Sequence, residues 1–138
     1  MAENKNGLHF AWFTLAGGTG GIFYAQSHDD GQSFTPRQNI SSLASARHPQ
    51  MAVFESGDLA IAWDDVTGWG DAAQSRIGVQ RRDADGKVLD TNYFGTKTGV
   101  FSFPVIQAVG PQTLLLAYTD SQKGSSSVKC LRKRWPAK

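Results

Sequence analysis

The feature that most constrains the fold is a short pattern that occurs three times along the chain. Residues 8–12, 59–63 and 114–118 all read Leu-x-apolar-Ala-aromatic, and their starts are 51 and then 55 residues apart. Self-similarity at such a period indicates one supersecondary unit that is used several times. The alternation within each copy is typical of a β-strand.

Further elements recur in the same register. Pro49 and Pro104 each open an apolar segment ten residues before the Leu of the pattern, and turn residues fill 55–58 and 110–113. These segments predict a strand, a tight turn and a second strand. Third strands are predicted at 22–26, 76–80 and 128–131, and short fourth strands follow in the first two units. Four antiparallel strands in about 50 residues are typical of a β-propeller blade, and we predict almost no helix.

The chain of 138 residues is predicted to form a single all-β domain. The pattern divides it into a partial blade of three strands at 8–43, a full blade at 46–99 and a partial blade at 101–135. Propellers typically have four to eight blades, so these units make an incomplete ring with open strand edges. The chain is either a piece of a longer protein or completes its ring by oligomerisation. We favour assembly, as a homodimer in preference to a trimer.

Residues 27–34, which read Ser-His-Asp-Asp-Gly-Gln-Ser-Phe, follow the third strand of the first unit. This segment resembles the Asp box, Ser-x-Asp-x-Gly-x-Thr-Trp, of sialidases and related BNR-repeat proteins. The key positions are Ser27, Asp29, Gly31, Ser33 and Phe34. Asp29 is expected to accept N–H bonds of the turn, and Gly31 to adopt a positive φ. In the family this box marks the fold and lies away from the ligand site.

The resemblance also implies what a sialidase site needs: an arginine triad, a Tyr–Glu nucleophile pair and an acidic Asp. Residues 46–49, Ala-Arg-His-Pro, contain Arg-x-Pro and resemble the family's arginine motif. Arg47 is therefore expected at the channel mouth, where it would clamp a carboxylate. The alternative is a rim arginine that pairs with a neighbouring acid or is solvated. No Tyr–Glu pair is visible, because the glutamates are Glu3 and Glu55. A complete catalytic site within one chain is not predicted.

A loop of the channel face supplies further candidates. Residues 63–71 read Trp-Asp-Asp-Val-Thr-Gly-Trp-Gly-Asp. Trp63 belongs to the repeat and is predicted to be core, whereas Trp69 stands between glycines and suits stacking on a sugar or a contact between subunits. The predicted ligand-binding residues are Arg47, His48, Asp64, Asp65 and Trp69.

Other classes of site and partner find little support. His9, His28 and His48 lack the spacing of metal ligands, so neither a metal nor another cofactor is predicted. The net charge of +2 and a basic C-terminal strand do not favour nucleic acid. Residues 8–16 are interpreted as a strand and not as a signal peptide, and no membrane span is predicted. No compartment is assigned. Cys130 is predicted to be a buried strand residue.

Three functions remain open. The first is a non-catalytic propeller module that binds glycan or protein at the channel face of an assembled ring. The second is a sialidase-like hydrolase whose site is shared between subunits. The third is a remnant of a larger propeller without activity of its own. The missing Tyr–Glu pair argues against the second, and Arg47 with the Trp69 loop favours the first.

Overall fold

The computed structural model describes residues 1–18 and 20–136, in which eleven β-strands and two short 3-10 turns are formed. The strands are β1 (Ala2–Asn4), β2 (Gly7–Thr14), β3 (Gly21–Ser27), β4 (Gln38–Ser41), β5 (Arg47–Val53), β6 (Leu59–Thr67), β7 (Gln74–Arg82), β8 (Val88–Thr96), β9 (Val100–Ala108), β10 (Thr113–Gln122) and β11 (Ser125–Arg134). The 3-10 turns are Ala16–Gly18 and Gly70–Ala72.

The strands form three antiparallel sheets, and within each sheet neighbours in sequence are neighbours in space. The first sheet contains β1–β4, the second β5–β8 and the third β9–β11. The prediction of an all-β chain is confirmed. The three copies of the repeated pattern lie at matching places, in β2, β6 and β10. Among the described residues, no helix has the length and apolar character needed to cross a membrane.

The first sheet begins earlier than the pattern predicted. The prediction of three strands starting at residue 8 omitted β1, which pairs with the start of β2 so that Glu3 lies opposite Leu8. A three-residue strand shows no alternation of apolar and polar residues, so it leaves no periodic signal. Its turn is held by the Asn4 side chain, which accepts the backbone N–H of Asn6 at 2.8 Å.

The first and second sheets meet across a joint that has a polar part. Arg82 is buried there with its guanidinium 4.1 Å from the ring centre of Tyr24, and it donates to Gln38 Oε1 and the carbonyl of Gly86. The Tyr24 hydroxyl lies 2.7 Å from His9 Nδ1. Burial raises the pKa of Tyr24 to about 12 and lowers the pKa values of His9 and Arg82. An apolar cluster completes this joint: Ile22, Tyr24, Ala46, Leu59, Ile61 and Trp63.

An apolar cluster lies at the joint between the second and third sheets, and hydrogen bonds between Ser75 and Phe101 and from Trp135 to Asp90 also cross it. Phe54 and Trp135 pack edge to face at 5.8 Å between ring centres. Burial of such side chains stabilises a fold by about 1.5–3 kcal/mol each. The buried members of this cluster are Phe54, Ala60, Ala62, Ile77, Val79, Leu114, Leu116 and Trp135.

The two ends of the sheets carry different connections. The Asp-turn end, as we call it, contains the connections 28–37, 54–58 and 83–87, with an aspartate in each. The opposite end, which we call the His48 end, contains the connection between β2 and β3 and the connections 42–46 and 68–73. It is also the end at which β5 and β9 begin, and these two strands lie in contact although they belong to different sheets.

Candidate functional site

Arg47 lies at the first position of β5, at the His48 end. Its guanidinium donates to the carbonyl oxygens of Ala44 and Ala46, the latter at 2.8 Å. The same group lies 4.8 Å from the ring centre of Phe13, whose side chain is exposed at the end of β2. Two backbone carbonyls and a ring therefore hold Arg47 in place, and the cation is fixed beside an exposed aromatic ring.

His48 and Asp64 form the centre of the site. His48 Nδ1 lies 2.7 Å from Asp64 Oδ2, and the same oxygen accepts the backbone N–H of Phe103 at 2.8 Å. The rings of His48 and Phe103 are 4.1 Å apart. The Asp64 side chain is 11% exposed and that of His48 41% exposed. One carboxylate on β6 thus holds the starts of β5 and β9 together beneath two accessible rings.

The backbone at this place is strained. His48 has φ 52° and Phe103 has φ 53°, values that non-glycine residues rarely adopt. Each residue precedes a proline, which would ordinarily favour an extended conformation. Each lies where the pairing with the neighbouring strand shifts register, between Arg47 and Gln50 in β5 and opposite 117–119 in β9. Residues held in such conformations cost about 1–3 kcal/mol and cluster at functional sites.

Asp65 has a different role from its neighbour. It is buried, its Oδ1 accepts from Arg76 Nε at 2.6 Å, and its Oδ2 accepts from Trp63 Nε1 at 3.1 Å. Arg76 lies directly opposite Asp65 on β7 and covers the ring of Tyr93 at 3.8 Å. Both carboxylate oxygens are therefore used inside the second sheet. Asp65 supports the architecture and does not face the surface on which Arg47 and His48 lie.

Trp69 stands apart from this cluster, on a neighbouring groove. It is 93% exposed, at the tip of the β6–β7 loop. A cavity of about 460 Å³ lies between this loop and residues 43–45. The two walls are joined by Ser45, whose hydroxyl donates to the carbonyl of Val66 and accepts its N–H, both at 3.0 Å. Because Ala44 contacts both the groove and Arg47, the Trp69 groove adjoins the His48 cluster.

The segment resembling an Asp box forms a closed turn at the Asp-turn end. Asp29 accepts from the N–H of Ser33 and from the Ser27 hydroxyl, both at 2.8 Å, while the Ser33 hydroxyl donates to the other carboxylate oxygen. These bonds lower the pKa of Asp29 to about 2, with the Ser33 hydroxyl as the largest cause. Gly31 has φ 83°, as expected. Phe34 packs against Phe10 edge to face and remains half exposed.

The predicted ligand residues are thus divided among three places. Arg47, His48 and Asp64 lie together, Trp69 lies on the adjoining groove, and Asp65 lies in the interior. Both Asp64 and Asp65 belong to β6 and not to the predicted loop. Sequence reasoning missed Phe103 as a member of the site. Its place before Pro104, which matches the place of His48 before Pro49, was the available signal.

The described residues contain no group of three or more His, Cys, Asp or Glu side chains placed to hold a metal ion. Comparisons of the chain with protein-family models, with curated proteins and with solved structures found no match.

Proposed function

We propose that this chain is a non-catalytic module of the sialidase-like propeller type that completes its ring with a second copy and binds an acidic glycan at the His48 end. The observation that carries the binding site is the pair of strained residues, His48 and Phe103, fixed on one carboxylate with their rings accessible. A site whose geometry is set before the ligand arrives loses less freedom on binding.

The chemistry of the site favours a sugar that bears a carboxylate. Phe13 and Phe103 are 46% and 59% exposed, and such rings offer apolar faces to the C–H side of a sugar. Arg47 lies beside the first ring and His48 beside the second. Asp64 occupies Nδ1 of His48, so Nε2, which has no hydrogen-bond partner among the described residues, is the nitrogen that remains for a ligand. A fixed guanidinium suits a carboxylate.

Several observations support binding without hydrolysis. Glu3 and Glu55 lie at the Asp-turn end, far from Arg47 along the strands. Burial raises the pKa values of Tyr24, Tyr93 and Tyr118, which makes each phenol a poorer nucleophile. Asp65 is committed to Arg76. A retaining glycosidase needs a positioned nucleophile and an acid on the two sides of the scissile bond.

Titration calorimetry with sialyllactose and with neutral lactose tests this proposal. We expect binding of the acidic sugar alone, and we expect Arg47→Ala and His48→Ala each to weaken it roughly tenfold or more, because the first removes a charge-assisted contact and the second removes the hydrogen bond offered by Nε2. Lys87→Ala, which removes one positive charge at the Asp-turn end, is the matched control and is expected to bind as the wild type does. No binding, or equal loss in all three variants, would overturn the proposed site. Release of free sialic acid would overturn the non-catalytic assignment.

A further inference from the structure

The repeated pattern follows a rule about which face of a sheet meets which neighbour. On β6, Leu59, Ile61 and Trp63 pack toward the first sheet, while Ala60 and Ala62 pack toward the third. The two sets alternate, as the side chains of a strand must. Strand β6 therefore presents its large residues to the preceding sheet and its alanines to the following one, and Phe54, Ile77 and Val79 of the same sheet complete the following face.

The two other sheets obey the same rule wherever they have a neighbour. In β10, Leu114 and Leu116 match Leu59 and Ile61, and they are buried toward the preceding sheet. In β2, Ala11 matches Ala62, and it packs toward the following sheet. Both joints within the chain are thus built in one register, in which the large positions of β6 and β10 face the preceding sheet.

Within the described residues, the first sheet has no neighbour on its preceding side and the third sheet has none on its following side, so one face of each is uncovered. Leu8, Phe10 and Trp12 of the first sheet occupy the large positions, and no sheet within the described residues lies before them. An apolar groove of about 290 Å³ runs beside Phe10 and Trp12, with Phe34 on its wall. This surface is the acceptor face.

The third sheet presents the complementary surface, which we call the donor face: Val105, Leu115, Ala117, Val128 and Cys130. Val128 pairs with Thr119, and Cys130 pairs with Ala117. The residues at the corresponding positions of the second sheet are Ile77 and Val79.

Exposure shows that the donor face lacks a cover. Val128 is 75% exposed, whereas its counterpart Ile77 is fully buried. Cys130 is exposed, whereas Val79 is 2% exposed. The prediction that Cys130 is buried is therefore wrong for the isolated chain. Cysteine suits a buried position, and Cys130 is exposed because no following sheet covers it within the described residues.

We infer that the donor face of one copy of this chain packs onto the acceptor face of a second copy, in the register of the two joints within the chain. The inference rests on the proposed assembly with a second copy and names the surfaces that make it. Such a contact is heterologous, because each copy contributes two different faces. Two copies related in this way present both contacts and bring six sheets into one ring, within the usual range for propellers.

Light scattering on the purified chain gives the first result. We expect a mass twice that of the 15.0 kDa chain. Val128→Asp on the donor face and Phe34→Asp on the acceptor face are each expected to raise the dimer dissociation constant roughly tenfold or more, because each buries a carboxylate in an apolar contact. Leu89→Asp on β8, where Leu89 is 44% exposed, is the matched control and should remain dimeric. Circular dichroism establishes that each variant is folded.

Mixing the two disabled variants tests the head-to-tail arrangement. A Val128→Asp copy retains its acceptor face and a Phe34→Asp copy retains its donor face, so the mixture contains one intact contact. We expect the mixture to associate more tightly than either variant alone. If one face instead paired with itself, the variant substituted on the other face would stay dimeric alone and mixing would add nothing, so absence of recovery would overturn the inference.

Cys130 gives a measurement that needs no substitution. Its thiol should react with a maleimide at least tenfold more slowly in the dimer than after dilution to monomer, because the donor face would be covered. Equal rates, or a dimer that tolerates both aspartate variants, would refute the named faces and leave assembly itself intact. A monomeric wild type would refute assembly, whereas the calorimetric test of the His48 end is read independently.

Discussion

Two aspartates of the Asp-turn end, Asp29 and Asp83, are used differently from Asp64 of the His48 end. At the Asp-turn end, Asp29 and Asp83 each accept the backbone N–H of the residue four positions later, Ser33 and Lys87, at 2.8 and 2.9 Å. At the His48 end, Asp64 reaches residues 16 positions before it and 39 positions after it in sequence. The first kind of aspartate closes its own turn, and the second joins parts of the molecule that the fold brings together.

We interpret the first kind of aspartate as stabilising its local turn and the second kind as supporting the candidate site. A turn that satisfies its own hydrogen bonds is stable wherever it is placed and needs no distant partner. The Asp64 carboxylate holds two strained residues, His48 and Phe103, and so restricts the side chains that a ligand at the candidate site would contact. We therefore propose the ligand site at the His48 end, although the Asp-turn end carries the more conspicuous motif.

The largest expected effect is on the free energy of unfolding, when the two neighbouring aspartates of β6 are each replaced by alanine. Asp65→Ala should lower the free energy of unfolding by about 3–5 kcal/mol, because it leaves Arg76 without its buried partner. Asp64→Ala should cost about 1–3 kcal/mol, since the Asp64 side chain is less buried. Urea denaturation measures both values. The assignment of Asp65 to architecture and Asp64 to the site fails if the order is reversed.

A smaller effect on stability is expected at Phe103, where a glycine variant should be more stable than an alanine variant, the reverse of the usual order. At an ordinary strand position glycine is less stable than alanine by roughly 0.5–1 kcal/mol. Because Phe103 has a positive φ, we expect Phe103→Gly to be more stable than Phe103→Ala by about 1 kcal/mol. The exposed neighbour Gln107 supplies the control, where alanine should be the more stable of the two. Thermal unfolding of the four variants decides the matter, and the same order at both positions would refute strain at the site.

The smallest expected effect is a loss of stability in acid that arises from Asp29 at the Asp-turn end. The pKa of Asp29 is lowered to about 2, from an ordinary value near 3.8. Its hydrogen bonds therefore stabilise the fold fully above pH 4, and this contribution is lost as the pH falls toward 2. We expect the Tm of Asp29→Asn to lie below that of the wild type at pH 6 and the difference to shrink toward pH 2. A difference independent of pH would show that the ionised form is not the one stabilised.

The sequence predicted strands where a periodic pattern existed. Leu59, Ile61 and Trp63 alternate with alanines, and this repeated alternation indicated the strand β6. The turn at 27–34 was predicted because Ser, Asp and Gly act locally. The strand β1 was missed because three residues contain no period. These successes and failures share one cause, which is that local chemistry is visible in sequence.

The site was harder to predict because it depends on register. Nothing near Asp65 shows that Arg76 lies opposite it, since that pairing follows from how β6 and β7 align across a loop. Asp64 and Phe103 are joined only after the second and third sheets pack together. Residues that precede proline are expected to be extended, so the positive φ values of His48 and Phe103 ran against the local rule.

The unequal joints between the sheets have a consequence for temperature. The buried apolar cluster at the joint between the second and third sheets has eight members, against six at the joint between the first and second sheets, and apolar burial weakens on cooling. Hydrogen bonds cross both joints, as from Arg82 to Gln38 at the first and from Trp135 to Asp90 at the second, and they do not depend on that effect in the same way. Near the freezing point of water, amide hydrogen exchange should therefore quicken first in β9–β11, so that the chain loosens from its C-terminal sheet in the cold.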